Sequence, residues 1–482
     1  MIRTMPASRL VVLLGDWRTS PSPTRRPMAD LLSTALRALV VDGRVPVGAR
    51  LPADRDLAAA LGVSRGVASA AYDRLREEGL LERRVGAGSF TALPLESPLP
   101  AGAWVPRTGG PDVVDMTIAS LPAPASAMLA AVAEAGELLP AHLGGHGYDL
   151  LGMPELRAAI ADRYTSLGAP TTPDQILVTT GGQSALDLLA RTVLGPGDTA
   201  LVEVPTYPNA LDSLRTARAR LHPVPVDAAE GWDPVMLVDA LRRGPRLAYV
   251  VPDFHNPTGA VMPEQVRARV LDAAARSGTV TVVDEAMADL VLEGPEPPRT
   301  ARLPHGGQLV CVGSLSKSVW GGLRTGWLRA DPALVRRVAE VRAVSDMGPP
   351  VHGQLVALAL LRRLDAVVAE RRELLRSRRD VLVAALAERL PEWSARVPRG
   401  GMSLWVGLDA PGSTALAAAA PEAGLRVAPG PRFGIDGAFD RFVRLPFTAP
   451  EPVLVDAVDR LAQLWGSLLG GFRPAAASRI LV

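Results

Sequence analysis

The chain contains one lysine among its 52 basic residues, Lys317, in the segment Gly313-Ser314-Leu315-Ser316-Lys317. Arginine supplies positive charge as well as lysine does, but a guanidinium does not lose its proton in proteins and cannot attack a carbonyl carbon. A composition that keeps a single lysine therefore favours covalent chemistry at this amine. The usual chemistry is a Schiff base with pyridoxal 5'-phosphate (PLP) or with a carbonyl substrate. On this residue alone, a leftover surface lysine is the open alternative.

Residue types that suit the other parts of PLP occur at separate places along the chain. Asp284 could keep the pyridine nitrogen protonated, and the amide of Asn256, in His255-Asn256-Pro257-Thr258-Gly259, could donate to the ring hydroxyl oxygen. Arg324 and a helix that begins at Gly181-Gly182-Gln183-Ser184 could bind the phosphate. Tyr207 could stack on the ring. The plainer alternatives are a turn residue at Asn256 and a core aromatic residue at Tyr207.

Short apolar segments rich in β-branched residues precede most of these positions. They are residues 176–180, 199–204, 247–251, 279–283 and 308–312. Helical patterns such as 184–193 and 263–277 lie between them. The alternation predicts a mostly parallel sheet covered by helices, and such sheets bind ligands at the carboxyl ends of their strands. A long helical stretch at 351–390 and a last α+β portion, containing 402–408 and 442–445, are predicted to follow.

The N-terminal part differs in charge and in pattern. Residues 1–95 carry 14 arginines and 9 acidic residues, a net of +5, whereas the remainder carries 38 basic and 41 acidic residues, a net of −3. After an irregular stretch at 1–26, helices are predicted at 28–41, from about 54 to 61 and from Ser64 to about 78, followed by two short strands around Gly86-Ala87-Gly88. This is the pattern of a winged helix-turn-helix, in which the third helix enters the major groove of DNA.

Several other classes of protein are disfavoured. The single Cys311 excludes an internal disulfide and a cysteine metal cluster, and the 6 histidines show no metal-ligand spacing. The longest early apolar run, residues 10–14, is too short for a signal peptide or a membrane span. We therefore expect a cytoplasmic protein without a metal site or a membrane anchor.

The N-terminal motif is specific in its residues as well as in its order of elements. The run from Pro46 to Ala58, containing Leu51-Pro52-Ala53-Asp54-Arg55, then Gly62-Val63-Ser64-Arg65 and Ala71-Tyr72, resembles the signature of GntR regulators. The resemblance implies that Arg55 and Arg65 contact DNA and that Gly86 and Gly88 form the tip of the wing. Ser64 could donate to a phosphate as well as cap the helix. The chain departs from the family in having Gly66 and Ser69 where threonine and arginine are usual, which bears on base reading.

The larger part resembles fold-type I aminotransferases from about residue 113 to 468. The resemblance rests on Asn256-Pro257-Thr258-Gly259, the strand-terminal Asp284 and the "SxSK…GxR" pattern of 314–324, in this order. It implies that Lys317 is the Schiff-base lysine, with Asp284 and Asn256 in the roles given above. It further implies that the phosphate ligands are Ser314, Arg324, Gly182 and Gln183. By the same resemblance, Tyr148 reaches the phosphate of the partner subunit, and Arg444 binds a substrate α-carboxylate. Met287 stands where the family often has a tyrosine.

Taken together, the chain resembles the MocR branch of GntR regulators. The expected domains are a winged helix-turn-helix at 1–92, a Pro/Gly-rich linker at 93–112, an aminotransferase-like α/β domain with a smaller C-terminal α+β subdomain at 113–468 and a flexible tail at 469–482. The resemblance implies a homodimeric regulator that binds a double-stranded DNA operator and senses PLP or an amino compound as an aldimine at Lys317. Two alternatives stay open: an active aminotransferase that carries a DNA-binding module, and a DNA-binding protein whose large domain only dimerises.

Overall fold

The computed structural model describes residues 3–18, 27–42, 44–45, 48–84, 87–92, 113–306, 308–435 and 437–472. The predicted linker at 93–112, Gly86 and residues 473–482 lie outside these ranges. The predicted fold is confirmed: an N-terminal winged helix-turn-helix precedes a large α/β domain with a smaller α+β subdomain. No helix in the described part of the chain is long and apolar enough to cross a membrane.

The N-terminal domain combines four helices with a small sheet in the described residues. Its elements are β1 (Arg3–Thr4), α1 (Ala7–Leu14), α2 (Met28–Val41), β2 (Ala49–Arg50), α3 (Asp54–Leu61), α4 (Arg65–Glu77), β3 (Leu81–Arg84) and β4 (Gly88–Thr91). Gly62 ends α3 with a φ of 64°, a left-handed conformation that glycine adopts without a steric penalty. Ser64 caps α4 by accepting from the amide of Val67 at 3.4 Å. The turn between α3 and α4 is thus set by local chemistry.

One expectation for this domain is wrong. Residues 1–26 were expected to be irregular, but α1 forms an amphipathic helix whose Leu10 and Leu14 are buried in the core of the domain, beside Leu32 and Leu57. The helix was missed because prolines follow it in the sequence and because its apolar residues are explained by packing against α2 and α3, which lie later in the chain.

The remainder of the chain forms two further sheets. The strands are β5 (Val114–Met116), β6 (Ile176–Thr179), β7 (Thr199–Val204), β8 (Arg220–Asp227), β9 (Gly231–Trp232), β10 (Leu247–Val250), β11 (Val280–Asp284), β12 (Leu309–Ser314), β13 (Gly326–Arg329), β14 (Ser394–Ala395), β15 (Ser403–Gly407), β16 (Leu425–Pro429) and β17 (Phe442–Pro446). The helices are α5 (Ala125–Leu138), α6 (Pro154–Ser166), α7 (Gly182–Val193), α8 (Pro208–Thr216), α9 (Pro234–Arg242), α10 (Glu264–Ser277), α11 (Leu315–Ser318), α12 (Pro332–Arg342), α13 (Val351–Leu361), α14 (Leu364–Arg389), α15 (Ser413–Ala419) and α16 (Glu451–Phe472).

The large sheet has the order β6-β13-β12-β11-β10-β7-β8-β9 within the described residues. Strands β12, β11, β10, β7 and β8 run parallel, whereas β13 is antiparallel to both of its neighbours. Helices cover both faces, because Leu177 belongs to one apolar cluster and its neighbours Ile176 and Val178 belong to another. The carboxyl ends of β10, β11 and β12 therefore meet at one edge, where the predicted site residues follow them.

The smaller sheet, β14-β15-β17-β16-β5, packs against α14 and α16 around a separate apolar cluster that includes Leu404 and Leu461. Through β5, the segment just before α5 joins this subdomain. The last helix continues to Phe472, past the expected domain end at 468.

Ion pairs connect the N-terminal domain to the rest of the chain. Nη2 of Arg9 lies 2.8 Å from Oδ2 of Asp233, and Nε of Arg44 lies 3.7 Å from Oδ2 of Asp227. Nε of Arg441 lies 3.5 Å from Oδ1 of Asp42. A cavity lined by residues of both domains, among them Leu13 and Trp405, lies at this junction. The DNA-binding domain is thus docked on the rest of the chain by contacts that include these three ion pairs.

Candidate functional site

A cavity of about 360 Å³ opens at the carboxyl edge of the large sheet. Small-molecule sites typically span about 300–1,000 Å³, so this cavity is large enough for a cofactor-sized molecule. Nine of the ten residues expected to bind the cofactor or its amine ligand line it: Lys317, Asp284, Asn256, Tyr207, Gly182, Gln183, Ser314, Arg324 and Arg444. The tenth, Tyr148, does not; its side chain is 64% exposed and stacks on His146.

Lys317 lies on the short helix α11, directly after β12, and its side chain is partly buried. Its Nζ donates to the main-chain oxygen of Ala119 at 2.7 Å. Burial, and then the positive charge of Arg444, lower the pKa of this amine to about 8, against the opposing charge of Asp284. About one tenth of the amine is therefore neutral at about pH 7, far more than for an ordinary lysine, and the neutral amine is the form that attacks a carbonyl carbon.

Asp284, the last residue of β11, is held by two donors. The hydroxyl of Tyr249 donates to its Oδ2 at 2.6 Å, and the amide of Ala286 donates to its Oδ1 at 2.9 Å. Burial raises the pKa of Asp284 above its usual value, and these two hydrogen bonds and the charge of Lys317 offset only part of that rise. The donors thus favour the carboxylate that a protonated pyridine nitrogen needs as its partner.

Tyr249 is a site residue that sequence reasoning missed. It lies within β10 and pairs in register with Val282, two residues before Asp284 on the adjacent parallel strand. In sequence it looks like a core aromatic in an apolar strand, and it is indeed only 1% exposed. The signal that could have identified it is the need of a buried tyrosine hydroxyl for a polar partner.

Arg444 extends from β17 of the smaller subdomain into the cavity. It is 7% exposed, contacts the main-chain oxygen of Thr117 and lies with its Cζ 5.1 Å from the ring centre of Phe433. Burial lowers its pKa to about 10, so it stays charged at neutral pH. Its Nε is buried without a hydrogen-bond partner among the described residues. A buried guanidinium with an unsatisfied donor suits a carboxylate that arrives with a ligand.

The expected phosphate end combines a helix N-terminus with Arg324 and Ser314. Gly181 precedes α7 with a φ of 109°, and a Cβ at this position would lie 3.1 Å from the guanidinium of Arg324. Arg324 itself has a φ of 50° and donates to the main-chain oxygen of Thr180 at 2.7 Å. The free amides of the first turn of α7 and the guanidinium therefore face the same small space, as anion binding requires.

Gln183 and Ser314 are both engaged within the protein. The side-chain amide of Gln183 donates to the hydroxyl of Ser213 at 2.8 Å, which leaves its backbone amide in the first turn of α7 as the group available to an anion. Ser314 caps α11 by accepting from the amide of Ser316 at 3.1 Å. Its hydroxyl therefore marks the start of the helix that carries Lys317.

Two residues bear on the electronic environment of the cavity. Tyr207, at the start of α8, has its pKa raised to about 12 by burial and then by the charge of Asp284, so its hydroxyl stays protonated. Met287, where a tyrosine is frequent in fold-type I aminotransferases, is 7% exposed and lines the cavity with an apolar side chain. The hydroxyl that the family often places there is therefore replaced by a thioether.

In the N-terminal domain, the residues expected to contact DNA lie on one exposed region around the α3–α4 turn. The side chains of Arg55 and Arg65 are 77% and 73% exposed. Arg65 Nε lies 3.2 Å from the carboxylate of Asp54, which orients the guanidinium. Ser64 is also exposed at the first turn of α4. Positive side chains beside a helix N-terminus suit binding to the DNA backbone and major groove.

The wing is a hairpin of β3 and β4 in which Arg84 pairs with Gly88. Gly88 has a φ of 107°, and a Cβ there would lie 3.0 Å from Nε of Arg50. Glycine is therefore favoured here by its left-handed conformation, whereas the exposed Arg50 side chain could move away from a Cβ. Gly86, the other glycine expected at the tip, lies outside the described residues.

A winged helix-turn-helix joined to a large α/β domain with this cavity defines a transcriptional regulator with an aminotransferase-like domain. In agreement, the family "Aminotransferase class I and II" matches residues 111–461, and the family "Bacterial regulatory proteins, gntR family" matches residues 30–91. The chain belongs to the MocR subfamily of GntR transcriptional regulators.

Similar proteins span both domains or the large domain alone. The chain is 31% identical over 401 residues to the probable rhizopine catabolism regulatory protein MocR of Rhizobium meliloti, covering 76% of this chain and 78% of that protein. It is 30% identical over 466 residues to the HTH-type transcriptional regulator TauR of Rhodobacter capsulatus, covering 88% and 93%. The crystal structure of Pyrococcus horikoshii kynurenine aminotransferase in complex with PMP has a TM-score of 0.69 and 27% identity, covering 74% of this chain and 92% of that one.

Proposed function

We propose that this regulator binds PLP covalently through Lys317 and that an amine which reacts at this position changes the affinity of the protein for its DNA operator. The observation that carries the proposal is the position of the only lysine: it lines the same cavity as Asp284, Asn256, Arg324 and Arg444. A surface lysine would need none of these neighbours. The solved aminotransferase with PMP supports the cofactor, since its fold matches most of the large domain.

When bound, PLP supplies an aldehyde that condenses with amines and a pyridinium ring that withdraws electrons. The chain's own groups fit that molecule. Asp284, which accepts hydrogen bonds from Tyr249 and Ala286, would hold a proton on the ring nitrogen. Asn256 would face the ring hydroxyl, and Arg324 with the first turn of α7 would bind the phosphate. Arg444 would bind the carboxylate of an amino acid, because its buried guanidinium has a donor without a partner.

A route for the signal is available behind the cavity. The buried carboxylate of Glu203 accepts from Trp232 Nε1 at 2.5 Å and lies 3.3 Å from His255 Nε2, and His255 is adjacent to Asn256. On the other side, Trp232 is adjacent to Asp233, which pairs with Arg9 of the N-terminal domain. We propose that ligand binding shifts the docking of the DNA-binding domain through this connection, to the extent that the ligand binds the two docked states with different affinity.

The proposed assembly is a homodimer on a two-fold operator, because two recognition helices are needed for two half-sites. The exposed Tyr148 is available to reach the cavity of the partner subunit, the role that its position in the fold-type I pattern implies. We also propose a cytoplasmic location, where an operator is accessible.

The test of cofactor binding compares the wild-type protein with Lys317→Ala and Lys317→Arg after addition of PLP and desalting. The wild-type protein should retain visible absorbance from lysine-bound cofactor, and both variants should lose it. If all three retain the same absorbance, the amine is not the attachment point. If none does, the large domain binds no PLP and serves another role, such as dimerisation.

The test of DNA binding uses a duplex selected from a random library with the purified protein. Arg65→Ala should weaken binding to the selected duplex by about tenfold or more, since one base or phosphate contact contributes about 1–3 kcal/mol. Arg76→Ala removes the same charge from the other end of α4 and is the matched control. PLP absorbance should be unchanged in both. Equal affinities for the two variants would count against this placement of the recognition helix.

An active aminotransferase is a second candidate function, favoured by the convergence of Lys317, Asp284 and Arg444 on one cavity. Sustained conversion of a 2-oxo acid in the presence of an amino donor would support it. If neither half-reaction proceeds while DNA binding responds to an amine, turnover is not the function. Met287 in place of the frequent tyrosine argues for the regulator.

A further inference from the structure

Arg432 lines the same cavity but has no role in the cofactor site described above. It lies in the 3-10 turn Gly430–Phe433, between β16 and β17. The turn is fixed because the amide of Thr206 donates to the main-chain oxygen of Phe433 at 2.8 Å. The ring of Phe433 also lies beneath the guanidinium of Arg444. The backbone of Arg432 is therefore fixed next to Phe433, the residue that contacts the Arg444 guanidinium, and Arg432 lines the cavity.

The guanidinium of Arg432 has no hydrogen bond or ion pair within the residues that the structure describes, although the side chain is half-buried. The acid that acts on it is Asp212, which does so at longer range and already pairs with Arg215 at 3.3 Å. Burial lowers the pKa of Arg432, but arginine stays charged in proteins. A half-buried cation that faces a cavity and has no anion paired with it can bind the anionic group of a ligand.

The charges of the side chains that line the cavity also indicate that Arg432 is available to bind an anion. Among the described residues its lining contains four cationic side chains and one carboxylate: Lys317, Arg324, Arg432, Arg444 and Asp284. In the proposed function, the phosphate of PLP pairs with Arg324, the ring nitrogen with Asp284, and the α-carboxylate of an amino acid with Arg444. The amine of the ligand takes the place of the Lys317 amine on the cofactor, which releases Lys317 as a free amine. Arg432 is then the one arginine of the described lining that has no assigned anion, and an uncharged ligand side chain would leave it unpaired.

We propose that the preferred ligand is an amino acid whose side chain ends in a second anionic group, which Arg432 binds while Arg444 binds the α-carboxylate. This inference rests on the proposed function and adds to it the chemical class of the effector. Arg432 acts as a specificity-determining residue, since it selects among amines without taking part in the attachment of the cofactor.

The experiment titrates the PLP-loaded full-length protein with matched amino acids and follows the absorbance of the bound cofactor. L-aspartate is compared with L-asparagine, L-glutamate with L-glutamine, and L-2-aminoadipate with L-norleucine, so that side-chain length varies with and without charge. For at least one length the acid should bind about two- to fivefold more tightly than its uncharged counterpart, the range expected for one partly exposed ion pair. Arg432→Gln should abolish this preference, and Arg432→Lys should retain part of it.

Arg269→Gln is the matched control, because Arg269 is exposed on α10 and does not line the cavity; it should keep the wild-type preference. If charged and uncharged amino acids perturb the absorbance with equal affinity at all three lengths, the inference about Arg432 is wrong and amine sensing stands. If Arg432→Gln keeps the preference, another group binds the second anion and the inference is also wrong. If no amino acid perturbs the absorbance, the inference about an amino-acid effector is wrong, whereas the proposed function fails only if the wild-type protein retains no lysine-bound cofactor.

Discussion

The lowered pKa of Lys317 leads to a quantitative prediction for its reaction with PLP. The reacting species is the neutral amine, and its pKa is lowered to about 8 by burial and by Arg444. At about pH 7 roughly 9% of the amine is neutral, and at about pH 9 roughly 91%, so the neutral fraction rises about tenfold and then levels off. An ordinary lysine, with a pKa of about 10.4, would show a rise of about 100-fold over the same interval and would keep rising.

The assay mixes PLP-free protein with PLP in a stopped-flow instrument at a series of pH values and measures the second-order rate constant from the absorbance change. Reaction of PLP with n-butylamine, whose amine is unperturbed, corrects for the titration of PLP itself. Lys317→Arg measures any reaction elsewhere in the chain. A corrected rate that still rises steeply above about pH 9 would refute the argument that the cavity lowers this pKa.

Two variants test the stated causes separately. Arg444→Gln removes a positive charge that lowers the pKa of Lys317, so the midpoint of the rate profile should move to higher pH. Asp284→Asn removes a negative charge that raises it, so the midpoint should move to lower pH. Shifts in the same direction would show that the variants act through general disruption of the cavity rather than through charge.

Two further predictions concern Tyr249, which lines the cavity, and Asp42 at the domain junction. Tyr249→Phe removes the donor to Asp284, and since a hydrogen bond to a charged group contributes about 1.5–3 kcal/mol, PLP should be retained about tenfold or more weakly in a fluorescence titration. Tyr164→Phe, which removes a similar bond to Glu285 outside the cavity, should leave retention unchanged, and equal effects would contradict the role of Tyr249. Burial raises the pKa of Asp42 to about 6, so the folded protein keeps a proton that the unfolded chain releases, and the free energy of unfolding should fall as the pH rises from about 4 to about 6. Asp42→Asn should lack this fall, and its free energy of unfolding in urea at about pH 7.5 should exceed that of the wild type by about 1–3 kcal/mol. Asp56→Asn, at an exposed position, should behave as the wild type. Identical pH profiles for all three proteins would rule out the effect.

In the large domain, the sequence predicts best those strands that lead directly to a site residue. β10, β11 and β12 are apolar β-branched runs, and Asn256, Asp284 and Lys317 follow them, so strand position alone brings these residues to one edge. β13 was not predicted, because Gly326–Arg329 is short and is defined only by pairing with β6 and β12.

The groups that tune the site were harder to predict than the groups that define it. The role of Tyr249 depends on the register of two parallel strands, and that of Arg432 depends on a turn that is fixed by Thr206 from a distant part of the chain. Neither relation has a local signal. The same holds for α1, whose apolar face is explained only by the helices that cover it.

The single lysine also makes the chain its own conformational reporter. A protease that cleaves after lysine has one possible site, after residue 317, and would yield fragments 1–317 and 318–482. In the folded protein that bond lies within α11, between the buried residues Leu315 and Val319, so it cannot enter a protease cleft in extended form. Each cut therefore records one opening of the cavity floor, and a covalently occupied amine would block it. Cleavage kinetics thus measure, in one reaction, how often this segment unfolds and what fraction of the lysine is free.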